Sequence, residues 1–151
     1  LQARLRTDPA CLPAAIDEIL RLDAPLISAR RRTTGRTSIG GTTLEAEEPV
    51  TLMWAGANRD EKVFVDADRF RLDRDPQLNL LYGAGIHVCP GAPLARLEMR
   101  VFVEELLRRV RLVPAAGSKP VRALYPAGGF ESLPMMAVPL GPQEGCQGRI
   151  P

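Results

Sequence analysis

Apolar residues recur at helical spacing in two stretches of the chain. In Ala14–Leu22, Ile16, Ile19 and Leu20 can share one helix face, and Pro13 suits a first helical turn. Ala92–Val110 is a longer stretch of the same kind, with Pro93 in its first turn. Its apolar positions are Leu94, Leu97, Val101, Leu106 and Val110, and its charged positions are Glu98, Arg100, Glu104 and Arg108. Both stretches are predicted to be amphipathic helices that bury their apolar faces.

Between these helices the pattern changes to short runs that are typical of strands. Residues 37–54 read as β structure, with a turn at Ile39–Thr42 around two glycines and a second strand at Val50–Met53. Beyond Pro114 the chain is rich in glycine and proline. The pattern therefore predicts a mainly α fold with small β-sheets (α+β) over residues 1–140, and a flexible tail over 141–151.

Composition narrows the class of protein but not its activity. The chain has 151 residues, of which 45% are hydrophobic and 25% charged, with a net charge of +2, as in an ordinary globular domain. No run approaches the roughly 18 apolar residues that a membrane span needs. Three scattered cysteines argue against a disulfide framework and for a reducing, cytoplasmic location. Because the first residue is Leu, we expect the chain to begin partway through a longer polypeptide.

Two binding functions receive little support from the residues present. A zinc site is poorly supported, because the chain has one histidine and no paired cysteines. A basic run at Arg30, Arg31, Arg32 and Arg36 lacks interleaved aromatic residues and is a weak signal for nucleic acid. We therefore predict neither a nucleic-acid partner nor a membrane partner.

The strongest chemical signal is the segment Tyr82–Gly91, which surrounds Cys89 with glycines and with the only histidine, His87. It directly precedes the second predicted helix, whose free N–H groups and dipole favour a thiolate, the form that binds metal. The glycines at 83, 85 and 91 can adopt positive φ and let a flat ligand approach the backbone. Two other possibilities remain for this cysteine, a buried apolar role and a nucleophilic pair with His87 that lacks a third orienting residue.

The pattern aromatic-x-x-Gly-x-His-x-Cys-x-Gly, followed by Leu94-Ala95-Arg96, resembles the haem-ligand loop of the cytochrome P450 family. The resemblance implies the C-terminal part of that fold, with haem b as cofactor and Cys89 as its axial iron ligand. It also implies that Tyr82, where the family usually has Phe, and Gly83 and Gly91 lie against the haem, and that His87 binds a haem propionate.

Further segments match the family in the expected order. Glu18-x-x-Arg21 alone would be read as a solvated i,i+3 pair, but it resembles the family's buried ion pair, whose second arginine would be Arg69. Arg30 stands where relatives place an arginine that pairs with a propionate, and Arg31 or Arg32 would replace it if the register differs. Asn79 stands where relatives frequently carry a histidine.

The resemblance implies a haem-thiolate monooxygenase that inserts one oxygen atom of O₂ into a small organic substrate, with electrons from a ferredoxin or reductase. The matched segments lack the distal helix with the acid–alcohol pair for oxygen activation, so no catalytic residue beyond the haem ligand is expected here. An N-terminal cytochrome P450 portion is therefore an expected partner. The alternatives are a non-catalytic accessory scaffold and a haem-responsive binding module built on Cys89-Pro90.

Overall fold

The computed structural model describes residues 1–141, and the predicted tail therefore lies almost wholly outside the described residues. Its α-helices are α1 (Gln2–Thr7), α2 (Leu12–Leu22), α3 (Trp54–Ala57) and α4 (Ala92–Arg109). Its strands are β1 (Ala29–Arg32), β2 (Thr37–Ile39), β3 (Thr42–Leu44), β4 (Pro49–Leu52), β5 (Val110–Pro114), β6 (Val121–Arg122), β7 (Phe130–Ser132) and β8 (Met135–Pro139). Single turns of 3-10 helix occupy Pro9–Cys11, Pro76–Leu78 and Gly85–His87.

A small core forms where the first, second and fourth helices meet. α2 starts with Pro13 in its first turn, as predicted, and its apolar face packs on α4 in a cluster to which α1 adds Leu5. The buried members of this cluster are Leu5, Leu12, Ala15, Ile16 and Leu107. The same helix also buries Glu18 and Arg21, so its polar side is inside the protein as well.

The strands form antiparallel pairs, β1 with β4, β2 with β3, β5 with β8 and β6 with β7. The predicted turn between β2 and β3 is present, and Gly40 and Gly41 adopt φ of 57° and 83°. Such positive values at both central turn residues suit glycine and match the twist of a tight hairpin. β1 was not predicted; it runs through the arginine-rich segment and pairs Arg30 with Thr51 of β4.

The buried face of α4 differs from the predicted one. Leu94, Leu97 and Val101 were expected inside, yet they are 59%, 55% and 52% exposed. The helix instead turns Ala92, Leu107 and the partly buried Met99 and Val103 toward the protein. The prediction was wrong because α4 carries two apolar stripes, and residues 1–141 cover only one of them. α4 also ends at Arg109, so that Val110 already belongs to β5.

The hairpin of β6 and β7 reaches back to the segment that joins α2 to β1. Gly128 N donates to Pro25 O at 3.0 Å, and Ile27 N donates to Pro126 O at 3.2 Å. Ser28 and Tyr125 share a hydroxyl–hydroxyl hydrogen bond of 2.6 Å. The C-terminal hairpin is thereby attached to the N-terminal half of the chain. None of the helices in residues 1–141 is both long and apolar enough to span a lipid bilayer.

Candidate functional site

The loop before α4 is folded by its glycines and by backbone hydrogen bonds. Gly83 and Gly85 adopt φ of 77° and 62°, values that disfavour other residues. Cys89 N donates to Tyr82 O at 2.8 Å, and Val88 N donates to Gly85 O at 3.2 Å. These bonds close the loop on itself and leave Cys89 at its end, directly before the helix.

The first residues of α4 leave the sulfur of Cys89 partly uncovered. Cys89 is a free thiol of intermediate exposure. Gly91 has φ −81° and helical geometry, so it does not use the positive φ that we considered for it. A Cβ at that position would lie 3.8 Å from Cys89 Sγ. The glycine at 91 therefore keeps one side of the sulfur free of a neighbouring side chain.

Several of the residues predicted to bind the haem, and two apolar residues of the cysteine loop, are exposed. Ile86 is 96% exposed and Val88 is 52% exposed, so the loop presents aliphatic groups next to Cys89. His87 is exposed in the short 3-10 helix of the loop. Arg30 is exposed on β1. Within residues 1–141 no group of three or more His, Cys, Asp or Glu side chains could hold a metal ion.

The ion pair suggested by Glu18 and Arg21 is buried and bidentate. Arg21 Nε donates to Glu18 Oε2 at 2.7 Å, and Arg21 Nη2 donates to Glu18 Oε1 at 2.9 Å, with the two side chains 1% and 4% exposed. Arg21 also donates to Asn58 O at 2.6 Å and to Ala67 O at 2.7 Å. Arg21 therefore joins α2 to the end of α3 and to the segment that follows it.

The second arginine of this cluster is Arg74 and not Arg69, which corrects our prediction. Arg74 Nε donates to Glu18 Oε1 at 3.0 Å, and so does the backbone amide of Arg71, also at 3.0 Å. Arg69 contributes its carbonyl oxygen, which accepts a hydrogen bond of 3.1 Å from Arg74. The segment 69–74 holds three arginines, and its irregular backbone decides which of them turns toward Glu18.

We expect the protein to lose stability in acid as the Glu18 carboxylate is protonated. Burial alone would raise the pKa of Glu18, but hydrogen bonds from Arg21, from the Arg71 amide and from Arg74 hold the pKa below the usual 4.5. A depressed pKa contributes stability above the unfolded-state value and loses it as the pH falls through the folded-state value. The free energy of unfolding should therefore decrease below about pH 4.5. A free energy of unfolding that stays constant from pH 5 to pH 2.5 in denaturant titrations would contradict this expectation.

A pair of asparagines, which we did not predict, fixes the entry to the cysteine loop. Asn58 is fully buried; its Nδ2 donates to Asn79 Oδ1 at 3.0 Å and its Oδ1 accepts from Leu80 N at 2.8 Å. Asn79 Nδ2 donates to Asp17 O at 2.9 Å, and its Oδ1 accepts from Leu81 N at 3.0 Å. The resemblance drew attention to Asn79, but its partners are visible only in the fold.

The chain is similar to known proteins over most of its length. The profile of the family described as Cytochrome P450 matches residues 6–134. Steroid C26-monooxygenase of Mycolicibacterium smegmatis is 43% identical over 141 residues, which cover 91% of this chain and 35% of that protein. The chain thus spans about a third of the length of the curated relatives that it matches.

Solved cytochrome P450 structures have the same fold as this chain over the part that superposes. The substrate-free cytochrome P450 CYP150A6 of Mycobacterium marinum superposes with a TM-score of 0.84 at 35% identity, over 93% of this chain and 37% of that one. CYP109E1 of Bacillus megaterium in complex with testosterone gives 0.82 at 30% identity, over 89% and 38%. The predicted α+β fold is confirmed. Since sequence and fold both match over most of the residues, the chain belongs to the cytochrome P450 family.

Proposed function

We propose that this chain is the haem-binding part of a haem-thiolate monooxygenase, with Cys89 as the axial ligand of haem b and residues 1–140 as the haem-binding unit. The observation that carries the proposal is the position of one free, partly exposed thiol between a glycine-shaped loop and the first turn of α4. A cysteine thiolate is one of the protein ligands that hold haem iron.

The residues around Cys89 fit a haem. The described part of the chain has no group of three or more His, Cys, Asp or Glu side chains that could hold a bare metal ion, so a single thiol suits an iron that arrives in its own macrocycle. Ile86 and Val88 offer apolar contact to a flat ring, and the missing side chain at Gly91 leaves one side of the sulfur open. Tyr82 and Gly83 belong to the same loop, and we propose that they lie against the ring as well. Arg30 and His87 are exposed donors that suit the propionates. A bound haem would supply the iron at which O₂ is activated for transfer of one oxygen atom to an organic substrate.

The large accessible surface area of this chain supports the presence of a further portion that packs against it. The accessible surface is 11117 Å², whereas a compact monomer of 16.5 kDa exposes about 7,500 Å². The ten residues outside the described part account for at most about 1,600 Å² of the difference. Leu94, Leu97, Val101 and Phe102 form an exposed apolar stripe on α4 that suits a packed helix. We propose that an N-terminal cytochrome P450 portion covers this stripe and supplies the distal side of the haem.

The remaining partners follow from the proposed reaction. A monooxygenase of this kind needs an organic substrate, O₂ and an electron donor of the ferredoxin or reductase type. Steroids are the first substrates to test, because a relative is named for steroid oxidation and a structural neighbour holds testosterone. The free thiols Cys11 and Cys89 suit the reducing cytoplasm, which we propose as the location.

The CO complex of the reduced protein tests the assignment of Cys89. We expect a Soret band far to the red in the haem-loaded protein, because a thiolate ligand on the iron would shift the band in this direction. Cys89→Ala should abolish the shifted band completely, since it removes the sulfur. Absorption spectra before and after CO addition provide the measurement.

Cys11→Ala is the matched control, because Cys11 is also a free thiol, and its Sγ donates to Asp8 Oδ2 at 2.9 Å. It should leave the red-shifted band unchanged. Survival of that band in Cys89→Ala would remove Cys89 from its assigned role. If haem is not taken up even with an N-terminal portion present, the accessory-scaffold alternative is favoured. Haem uptake without the red-shifted band favours the binding-module alternative.

A further inference from the structure

Arg96 connects α2 to the aromatic ring at the start of the cysteine loop. Arg96 Nε donates to Asp17 Oδ1 at 3.0 Å, although the two residues are 79 positions apart in sequence. The guanidinium carbon of Arg96 lies 4.6 Å from the centroid of the Tyr82 ring. One cation is thus held by a carboxylate and stacked on an aromatic face at the same time.

The three residues come from three different elements that meet at the loop. Asp17 lies on α2 and is 15% exposed, and Arg96 lies in the second turn of α4 and is 42% exposed. Tyr82 accepts the backbone hydrogen bond from Cys89. Asp17 in addition accepts, through its carbonyl, the hydrogen bond from Asn79 that fixes the loop entry. The side chain and the backbone of Asp17 therefore both act on the segment that carries Cys89.

The pair of Asp17 and Arg96 is partly buried, so its charges can influence the nearby cysteine loop. A pair that is partly withdrawn from water is screened less than an exposed one. Burial raises the pKa of the Tyr82 hydroxyl, with the Arg96 charge acting against this change, so the ring stays neutral in the neutral pH range. Arg96 over a neutral ring makes a cation–π contact, an interaction that stabilises the ring orientation.

We propose that Asp17 and Arg96 are positioning residues for the cysteine ligand: Asp17 fixes Arg96, and Arg96 holds the Tyr82 ring and sets the electrostatic potential at the Cys89 sulfur. This inference rests on the proposed function, because it requires Cys89 to bind haem iron. A nearby positive charge favours the state with one more electron, and a nearby negative charge disfavours it. The two members of the pair therefore act on the iron in opposite directions.

The midpoint potential of the haem-loaded protein tests this inference with two single variants. Arg96→Gln removes the positive charge, leaves Asp17 unpaired and should shift the potential to more negative values. Asp17→Asn removes the negative charge and should shift it to more positive values. A spectroelectrochemical titration gives both values, and the CO spectrum of each variant should keep the red-shifted Soret band.

Arg100→Gln is the matched control, because Arg100 lies one turn further along α4, is 58% exposed and pairs with Glu104 at 3.8 Å. Its potential should stay near that of the wild type. Arg96→Lys keeps the charge and should also stay near the wild type; a shift as large as that of Arg96→Gln would overturn the role of the charge. If Arg96→Gln does not retain haem, the test rests on Asp17→Asn. A shift of its midpoint potential to more positive values supports the inference, and no such shift overturns it.

The two proposals fail in different ways. Shifts of Arg96→Gln and Asp17→Asn in the same direction, or shifts no larger than that of Arg100→Gln, would overturn the present inference while the thiolate band remains. Absence of the thiolate band in the wild-type protein would overturn the proposed function and this inference with it. If the pair had a purely structural role, both variants would lose similar amounts of stability. They would not shift the midpoint potential in opposite directions.

Discussion

Glu18→Gln is expected to lower the free energy of unfolding by about 3–5 kcal/mol, the range for breaking a buried ion pair from one side. The carboxylate accepts from Arg21 at 2.7 and 2.9 Å, from Arg74 at 3.0 Å and from the Arg71 amide at 3.0 Å. Glutamine keeps the size of the side chain but loses its charge. Arg21, which is 1% exposed, would then remain buried without a counter-charge. Urea unfolding of the two proteins measures the difference.

The control is Glu105→Gln on α4, because Glu105 also pairs with two arginines, Arg108 at 2.8 Å and Arg109 at 3.1 Å. These side chains are all about half exposed or more, so the pairs are screened by water and should contribute little to stability. If Glu18→Gln lowered the free energy of unfolding no more than Glu105→Gln does, burial of the Glu18 cluster would not add to stability. It would also remove the basis of the acid lability expected for Glu18.

The parts of the fold that could be predicted are those whose cause lies within a few residues. Pro13 and Pro93 mark the first turns of α2 and α4, because proline fits where no backbone N–H is needed. Gly40 and Gly41 set the turn between β2 and β3 through their own φ values. In each case the neighbouring residues carry all the information that the local structure requires.

The parts that could not be predicted depend on what lies across the fold. Both apolar stripes of α4 have helical spacing, and the spacing does not tell which one is covered within this chain. The choice between Arg69 and Arg74 depends on the path of an irregular segment around Phe64, whose ring lies 5.8 Å from the guanidinium carbon of Arg74. β1 was missed because a run of arginines has no strand-like alternation of apolar and polar residues. The segment forms a strand because its backbone pairs with β4.

The candidate site shows the same division between local and distant causes. Cys89, Gly83 and Gly85 are recognisable in one short segment, because thiol chemistry and backbone freedom are properties of single residues. Asp17 and the partners of Asn79 become visible only when α2 packs beside the loop. Sequence alone thus singles out the thiol of Cys89, whereas the packing of α2 determines which contacts hold the loop that carries it.

Gly128 illustrates a distant constraint with a large expected effect. A Cβ at this position would lie 1.7 Å from Ala24 O and 2.8 Å from Ala24 C, far inside contact distance. The obstacle is backbone at the end of α2, and Ala24 is buried, so it cannot move aside as a flexible side chain would. The hairpin of β6 and β7 can therefore dock on the segment 24–28 only with glycine at 128.

Gly128→Ala is expected to cost about 3 kcal/mol of unfolding free energy, the upper part of the range for overpacking, because the clash separates two backbone segments. The hydrogen bonds from Gly128 N to Pro25 O and from Ile27 N to Pro126 O should break together, and hydrogen exchange of these two amides should accelerate. Gly35→Ala is the control: nothing lies within 4 Å of its Cβ and its φ is not positive, so stability should change by about 1 kcal/mol or less. Equal stability of both variants, with slow exchange at Ile27 retained, would show that the hairpin is not seated on Ala24.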